Sequence, residues 1–545
     1  MNHLMTRSHS PDRRLTADIV GERDSAAHAG VSRREFMRYA GIGAALVGTG
    51  AVTACTSNST ATLVSNGKPV RGGTLRAGIT GGGPTDTIDG QAGLQNTDFA
   101  RVFSLYNPLV GWDLDANVTL VLAESMEPDA ANKTWTVRLR SGVEFHNGKT
   151  LNADDVIYSL NRVIKQKTPG YFAVTPVDAP NMKKIDPLTL RIPMKTAYPL
   201  FPEFYCSLYQ NLMIVPVGYN PAQPVGTGPF KFQSFTPGQE STFARNPNYW
   251  RTGQPYVDTL VITDYSDETA QINGLLSNQV DCVNLLSDAS LPRLQSSGAR
   301  AVIAQTGCNT PFTMRVDVPP FNDVRVRQAL RLIVDRPQMN TIVWGDHATV
   351  ANDLFAPYDP NFNHSIPQRV QDISQAKSLL KAAGHENLNV TLVTADIFSG
   401  VTSSAQVFAQ QATAAGVTVN LQQITTTEFY GPNFLKWPFA PDFWYYTPYL
   451  SQVAQEMLPT SPFNDTSWND PHYTSLYQQA FATPDDGLRA EIVHEMQAID
   501  HTSGGLIIPV FTATIDGVAA RVQGVKAGKV GFSFGNYNFE DMWLT

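Results

Sequence analysis

The sequence predicts an α/β fold, on three observations. The composition is globular, with 42% hydrophobic, 16% charged and 10% aromatic residues, which excludes a disordered or collagen-like chain. Segments of helical period alternate with segments of period two along most of the chain. Late in the chain, strand, helix and strand follow one another in the order of a βαβ unit. At roughly 100–200 residues per domain, the 545 residues make two to four domains with ample core.

Taken in order, the chain begins with an address. Ser32-Arg33-Arg34-Glu35-Phe36-Met37 precedes an uncharged stretch from Tyr39 to Ala54, too short and too glycine-rich for a spanning helix, which needs about 20 apolar residues. The pair Arg33 and Arg34 looks like a twin-arginine export signal, and Val52-Thr53-Ala54-Cys55 looks like a lipoprotein cleavage box with Cys55 as the lipid-bearing residue. Residues 1–54 are read as signal peptide, and 55–71 as the lipidated cysteine with a flexible Ser/Thr/Asn/Gly linker. The part beyond residue 54 holds 33 basic and 43 acidic residues. No basic stripe with interleaved aromatics is present, so nucleic acid is not an expected partner.

Gly73 to Ile79 reads as a first strand, and Thr134 to Arg140 alternates as a half-buried one. Asn152, with Asp155 three places on, caps a helix whose Val156, Leu160, Val163 and Ile164 share a face. Asn322 or Asp323 caps another, carrying Val326, Ala329, Leu330 and Ile333. Ile373 to Ala383 is a helix stopped by Gly384, followed by strand residues Val390, Leu392 and Ala395. A helix near Ala405 to Ala415 ends at Gly416 and passes into the strand Val417 to Leu421.

Most catalytic patterns fail on inspection. His494-Glu495 opens like a zinc-protease helix, but Ala498 stands where the second histidine belongs, with His501 further on. Gly148-Lys149-Thr150 ends like a phosphate loop whose first glycine is out of register. Ser374-Gln375-Ala376-Lys377 and Ser378-Leu379-Leu380-Lys381 fit Ser-x-x-Lys, yet neither Ser-Asp-Asn nor Lys-Thr-Gly occurs; an exported serine hydrolase is a distant alternative. The cysteines Cys55, Cys206, Cys282 and Cys308 have no metal-binding spacing. With Cys55 modified, loop length allows Cys282–Cys308 to pair, and three buried thiols are the equal alternative. No cofactor and no metal is implied.

Four segments together resemble the dipeptide- and oligopeptide-type solute-binding proteins of ABC importers, the bacterial extracellular solute-binding family 5. They are Leu122 to Ser125 with Trp135 to Arg140, Val143 to Lys149 and Ala153 to Val156; Val225 to Phe230 with Arg245-Asn246-Pro247-Asn248-Tyr249-Trp250; Pro320 to Leu330 ending in Asp335-Arg336; and Ala376 to Gly384. The resemblance implies a two-lobed periplasmic-binding-protein-like fold (class II, cluster C type) with an extra domain in the first lobe. Mapped here, domain I takes 72–107, 226–309 and 525–545, domain II 108–225 and domain III 310–524. It further implies no enzyme but an extracytoplasmic receptor, monomeric and held to the membrane only by its lipid. Such a receptor passes peptides or peptide-like solutes to a permease with ATPase subunits.

Ten aromatics fall between Phe429 and Tyr449, interrupted by Pro432, Pro438, Pro441 and Pro448. Rings on such irregular backbone suit a cleft wall, and the candidate ligand residues are Asp442, Trp444, Tyr445, Tyr446, Thr447 and Tyr449. Peptide binders of the resembled family carry an aspartate shortly after a Gly-Trp here, for the ligand's α-ammonium. Trp444 matches that tryptophan, and Thr447, without charge, falls at the aspartate; Asp442 is a nearby substitute. This departure raises an oligosaccharide or other neutral solute as the alternative ligand.

Overall fold

The computed structural model describes residues 67–545. Arg33, Arg34, Cys55 and the linker up to residue 66 lie outside the described residues. Among the described residues no helix is long and apolar enough to cross a membrane.

The first expected strand forms at Thr74–Thr80, with Leu75, Ala77 and Ile79 buried. It lies at the middle of an eight-stranded mixed sheet. The order is Arg300–Asn309, Val510–Val518, Cys282–Val283, Thr74–Thr80, Thr259–Tyr265, Glu240–Arg245 and Phe230–Thr236, with Thr349–Val350 added along Val510–Val518. Thr74–Thr80 is parallel to both its neighbours, whereas Val510–Val518 runs antiparallel to Arg300–Asn309. Val510–Val518 therefore lies in this sheet, although the sequence reading kept 310–524 together as one domain. Eight of its nine residues are buried, so the segment reads as core, and period alone does not reveal so distant a partner.

A second, antiparallel sheet has the order Ala123–Pro128, Thr134–Leu139, Thr189–Pro193 and Lys183–Asp186. In Thr134–Leu139 the alternation places Trp135, Val137 and Leu139 inside, and the Trp135 indole donates to the Tyr198 carbonyl at 2.9 Å. The adjoining helix Ala153–Gln166 begins as its sequence requires. The Asn152 side chain accepts from Asp154 N, Asp155 returns the bond to Asn152 N, and Val156, Leu160 and Val163 are buried. Such a box satisfies amides that a helix start leaves without partners.

The third assembly holds the βαβ unit: Asn389–Thr394 and Thr418–Gln423 are parallel, with Val401–Ala412 between them. Beside it, Phe312–Met314 lies between Phe439–Pro441 and Leu506–Ile507. Asp323, the second of the two cap candidates, caps Val324–Ile333.

Two backbone segments pass from the large sheet to this small one. One joins Arg300–Asn309 to Phe312–Met314 through Thr310-Pro311, the other joins Leu506–Ile507 to Val510–Val518 through Ile508-Pro509. Each carries a proline, which gives the ladder no N–H at the crossing. Arg327, from the Val324-Arg325-Val326-Arg327-Gln328-Ala329-Leu330 motif, and Arg331, the residue after it, fix the start of the second crossing. Arg327 Nε donates to Gly504 O at 3.1 Å; Arg331 donates to Gly504 O at 2.6 Å and to Leu506 O at 2.8 Å. Burial pushes the Arg331 guanidinium down to about 9.

Cys206, Cys282 and Cys308 are free, buried thiols. Of the two readings of the cysteines, the unpaired one is found.

Candidate functional site

The aromatic-rich segment lies against the crossing. Asn309 and Trp444 exchange backbone bonds, Trp444 N to Asn309 O at 2.9 Å and Asn309 N to Trp444 O at 3.1 Å, and Asp442 N donates to Pro311 O at 3.0 Å. Residues 442–444 are thus fixed to the crossing, and the next residues are carried to the large-sheet side. There the Tyr445 hydroxyl donates to Asn96 Oδ1 at 2.9 Å, and the Tyr537 hydroxyl donates to the same oxygen at 3.1 Å. The Tyr445 ring stacks on Phe532 with centroids 4.5 Å apart. Tyr446 meets the edge of Trp112 at 5.7 Å. Stacked and edge-on rings at these separations add about 0.5–1.5 kcal/mol per pair beyond area burial.

The remaining candidates separate. Trp444 is half-buried, its ring edge-on to Phe463 at 5.9 Å. Thr447 is buried, and its hydroxyl donates to Gln452 Oε1 at 3.3 Å. Tyr449, expected at the ligand, is 1% exposed and faces its own domain: its hydroxyl donates to Asp500 at 2.6 Å and its ring stacks on Phe355 at 5.0 Å. The cause is local. Pro448 starts the short helix Tyr449–Gln452, whose four residues are all buried.

Asp442 borders a void of about 10 Å³ together with Asp465, Phe429, Phe434 and Trp437, room for one water. Burial pushes the Asp442 carboxyl up to about 7 and that of nearby Glu456 up to about 8, and raises Asp465 as well. Glu456 is held by Gln452 Nε2 at 3.0 Å, so Thr447, Gln452 and Glu456 form one chain of contacts.

Asn96, Trp112, Phe532 and Tyr537 escape the sequence reading. One signal was available: Phe532, Phe534, Tyr537 and Phe539 crowd eight residues near the C-terminus. The backbone there is unusual. Phe534, Gly535, Asn536 and Tyr537 all have positive φ, at 54°, 63°, 72° and 54°. Left-handed turns of non-glycine residues cost roughly 1–2 kcal/mol per residue, and such strain collects at binding sites. The turn is held by Asp516, whose Oδ2 accepts from Phe534 N at 2.7 Å.

The hydrolase alternative finds no site: Ser374, Lys377, Ser378 and Lys381 all lie on the exposed face of Ile373–Ala382. His472 contacts Glu495 at 2.9 Å on the surface. Among the described residues no group of three His, Cys, Asp or Glu side chains is placed to hold a metal.

Residues 117–485 match the family described as bacterial extracellular solute-binding proteins, family 5. The dipeptide-binding protein of Escherichia coli is 24% identical over 485 residues, covering 80% of this chain and 88% of its own. The heme-binding protein A of Haemophilus influenzae is 28% identical over 313 residues, covering 52% of this chain and 57% of its own. Among solved structures, the substrate-binding protein CtaP of Listeria monocytogenes superposes with a TM-score of 0.77 at 21% identity. The alignment covers 87% of this chain and all of that one. The oligopeptide-binding protein AppA of Bacillus subtilis, solved with a nonapeptide, gives 0.73 at 20% identity, covering 88% of this chain and all of that one. The fold is that of the two-lobed periplasmic binding proteins.

Proposed function

The chain belongs to the bacterial extracellular solute-binding proteins of family 5, and we propose that it captures peptides or peptide-like solutes between its two lobes and delivers them to an ABC permease. The observation that supports the ligand-binding part is the contact of Tyr445, next to the crossing, with Asn96 and Phe532 on the large-sheet side. We read that contact as one completed when the lobes are together. A solute that touches both sides favours the closed form, and one with equal contacts in both forms shifts nothing.

Tyr445, Tyr446 and Trp444 supply faces for apolar side chains, and Asp442 is the nearest candidate for a ligand ammonium. Thr447, at the place of the peptide binders' aspartate, supports a second reading, in which the same wall grips an oligosaccharide or another neutral solute. The export-like pair Arg33-Arg34 and the lipobox-like context of Cys55 support a location outside the cytoplasm on a lipid tether, and the reading is of a monomeric receptor that does no catalysis.

The test is mass spectrometry of what co-purifies with residues 56–545 after denaturation, followed by calorimetry with the compound found. Peptides uphold the first reading and neutral sugars the second. Absence of any retained compound, together with no heat from a tripeptide or trisaccharide panel, overturns both.

A further inference from the structure

The short helix Phe201–Ser207 lies beside the hairpin strands Val110–Trp112 and Val118–Leu120, and its other side packs on Tyr449–Gln452. Ser207 Oγ is 2.5 Å from Ser451 Oγ. The Phe481 ring, from the helix Pro471–Ala482, meets Tyr198 at 5.1 Å and the edge of Phe204 at 5.6 Å. The chain passes from one side of this contact to the other only by way of the large sheet, through Phe230–Thr236 to Arg300–Asn309. Packing rather than connectivity therefore holds the two sides together. In the lobe closure proposed above, this is a further contact made as the lobes come together.

Glu203 stands in this contact. The residue is half-buried, and its Oε2 is buried with no hydrogen-bond partner. On its own side it faces Tyr198 and Cys206, both buried and both held protonated by burial, and Tyr477 adjoins Tyr198 from the far side. The charges that act on it come from the far side as well. Arg489, on the helix Asp486–Ser503, draws the carboxyl down, whereas Asp359 and Asp486 push it up. Arg489 is engaged elsewhere: it pairs with Asp486 and donates to Thr483 O at 2.9 Å. Asp359 accepts from Tyr449 N and from Asn361 N, each at 2.8 Å. Burial outweighs the pull of the residue's own amide and of Arg489, and the Glu203 carboxyl is pushed up to about 7. A carboxylate cut off from water without a counter-ion is costly, so the neutral acid is the favoured form there.

We propose that Glu203 is a proton-linked latch: its carboxyl holds a proton while this contact is closed and releases it to water as the lobes part, so acid surroundings favour solute capture. The inference rests on the interlobe reading and adds a regulation to it. The closed form, near 7, binds more protons than an open form with the ordinary 4.5 over the window between those values. Closure is therefore fully favoured below that window and weakens as pH rises through it.

X-ray scattering of solute-free residues 56–545 at about pH 5 and about pH 8 tests the latch, with Glu203→Gln and Glu203→Met measured beside the parent. Both variants are neutral at every pH, and circular dichroism checks that each is folded. The parent is expected to show the larger radius of gyration at the higher pH, its closed-to-open ratio falling roughly threefold to tenfold. The variants are expected to keep the smaller radius at both. Asp442, Asp465 and Glu456 are the same in all three proteins, so the difference between them belongs to Glu203. A parent radius that does not change with pH, or one that changes equally in the variants, overturns the latch. If the calorimetry above still shows solute capture, that result removes the latch alone. If no solute is captured at either pH, the interlobe reading falls with it.

Discussion

The Tyr445 hydroxyl and Asn96 Oδ1, 2.9 Å apart, join a residue placed just beyond one crossing segment to the first turn of the helix Asn96–Leu105 on the other side. Asn96 Oδ1 accepts from Tyr537 as well, so one amide oxygen holds two hydroxyls from distant parts of the chain. Trp444 is bound to Asn309 through its backbone, and the Tyr446 amide donates to Val530 O at 3.0 Å, so Tyr445 is held between two backbone ties. In the lobe closure proposed above, the pair is one of the contacts made across the cleft.

Tyr445→Phe keeps the stack on Phe532 and removes only the bridging bond. A net hydrogen bond is worth about 0.5–1.5 kcal/mol, so the closed population falls roughly twofold to tenfold and apparent affinity falls with it. X-ray scattering of the ligand-free variant should show a larger radius of gyration than the parent. Equal scattering curves and equal calorimetric affinity would show that the bridge does not bias closure.

Arg331→Leu tests the second crossing. The side chain is fully buried, and its guanidinium serves the carbonyls of Asp500, His501, Gly504 and Leu506. Leucine leaves these acceptors without that donor set, and each unsatisfied buried group costs about 1–3 kcal/mol. Urea unfolding should lose at least about 3 kcal/mol, on the same ground. A loss below the worth of one hydrogen bond would mean that water replaces the guanidinium.

The elements that sequence shows well are those whose cause is local. Asn152 and Asp155 close a capping box within four residues, and the βαβ unit 389–423 announces itself by period and by Gly416, which adopts φ 78° at the helix end. The large sheet is hidden for the opposite reason. Thr74–Thr80 pairs with Thr259–Tyr265 and Cys282–Val283, and no period records which distant strand lies alongside. The site divides the same way. Density of rings marks Tyr445 and Tyr446, while Asn96 is an ordinary asparagine until the fold brings it to a tyrosine hydroxyl. Tyr449 misleads because its ring belongs to the same run but its short helix turns it toward Asp500.

The buried carboxyls give a pH dependence of defined sign. Burial holds Glu456 near 8 against an ordinary 4.5, and Asp442 near 7 against 3.8. The folded state therefore binds more protons than the unfolded state between about pH 4 and pH 8, and stability falls as pH rises through that window. Glu456→Gln retains an oxygen to accept from Gln452 and has no proton to lose. Its melting temperature should match the parent's near pH 4 and exceed it by roughly a few degrees at pH 8. Parallel melting curves for the two proteins across that range would contradict the assignment.

Thr447→Asp carries the question of ligand charge. Thr447 donates to Gln452 Oε1, and Gln452 in turn donates to Glu456. An aspartate cannot make the first bond, so Gln452 must turn its amide, and a further carboxylate enters a region where Asp442, Glu456 and Asp465 are already pushed toward the neutral form by burial. Ligand-free stability should therefore drop. An arriving ammonium reverses the balance, because a charge-assisted bond is about twice as strong as a neutral one. Calorimetry with a tripeptide should show affinity raised by roughly tenfold, about 1.4 kcal/mol, while the N-acetylated tripeptide shows no gain. An equal response of both peptides would place the ligand's amino end elsewhere and leave Thr447 as a packing residue.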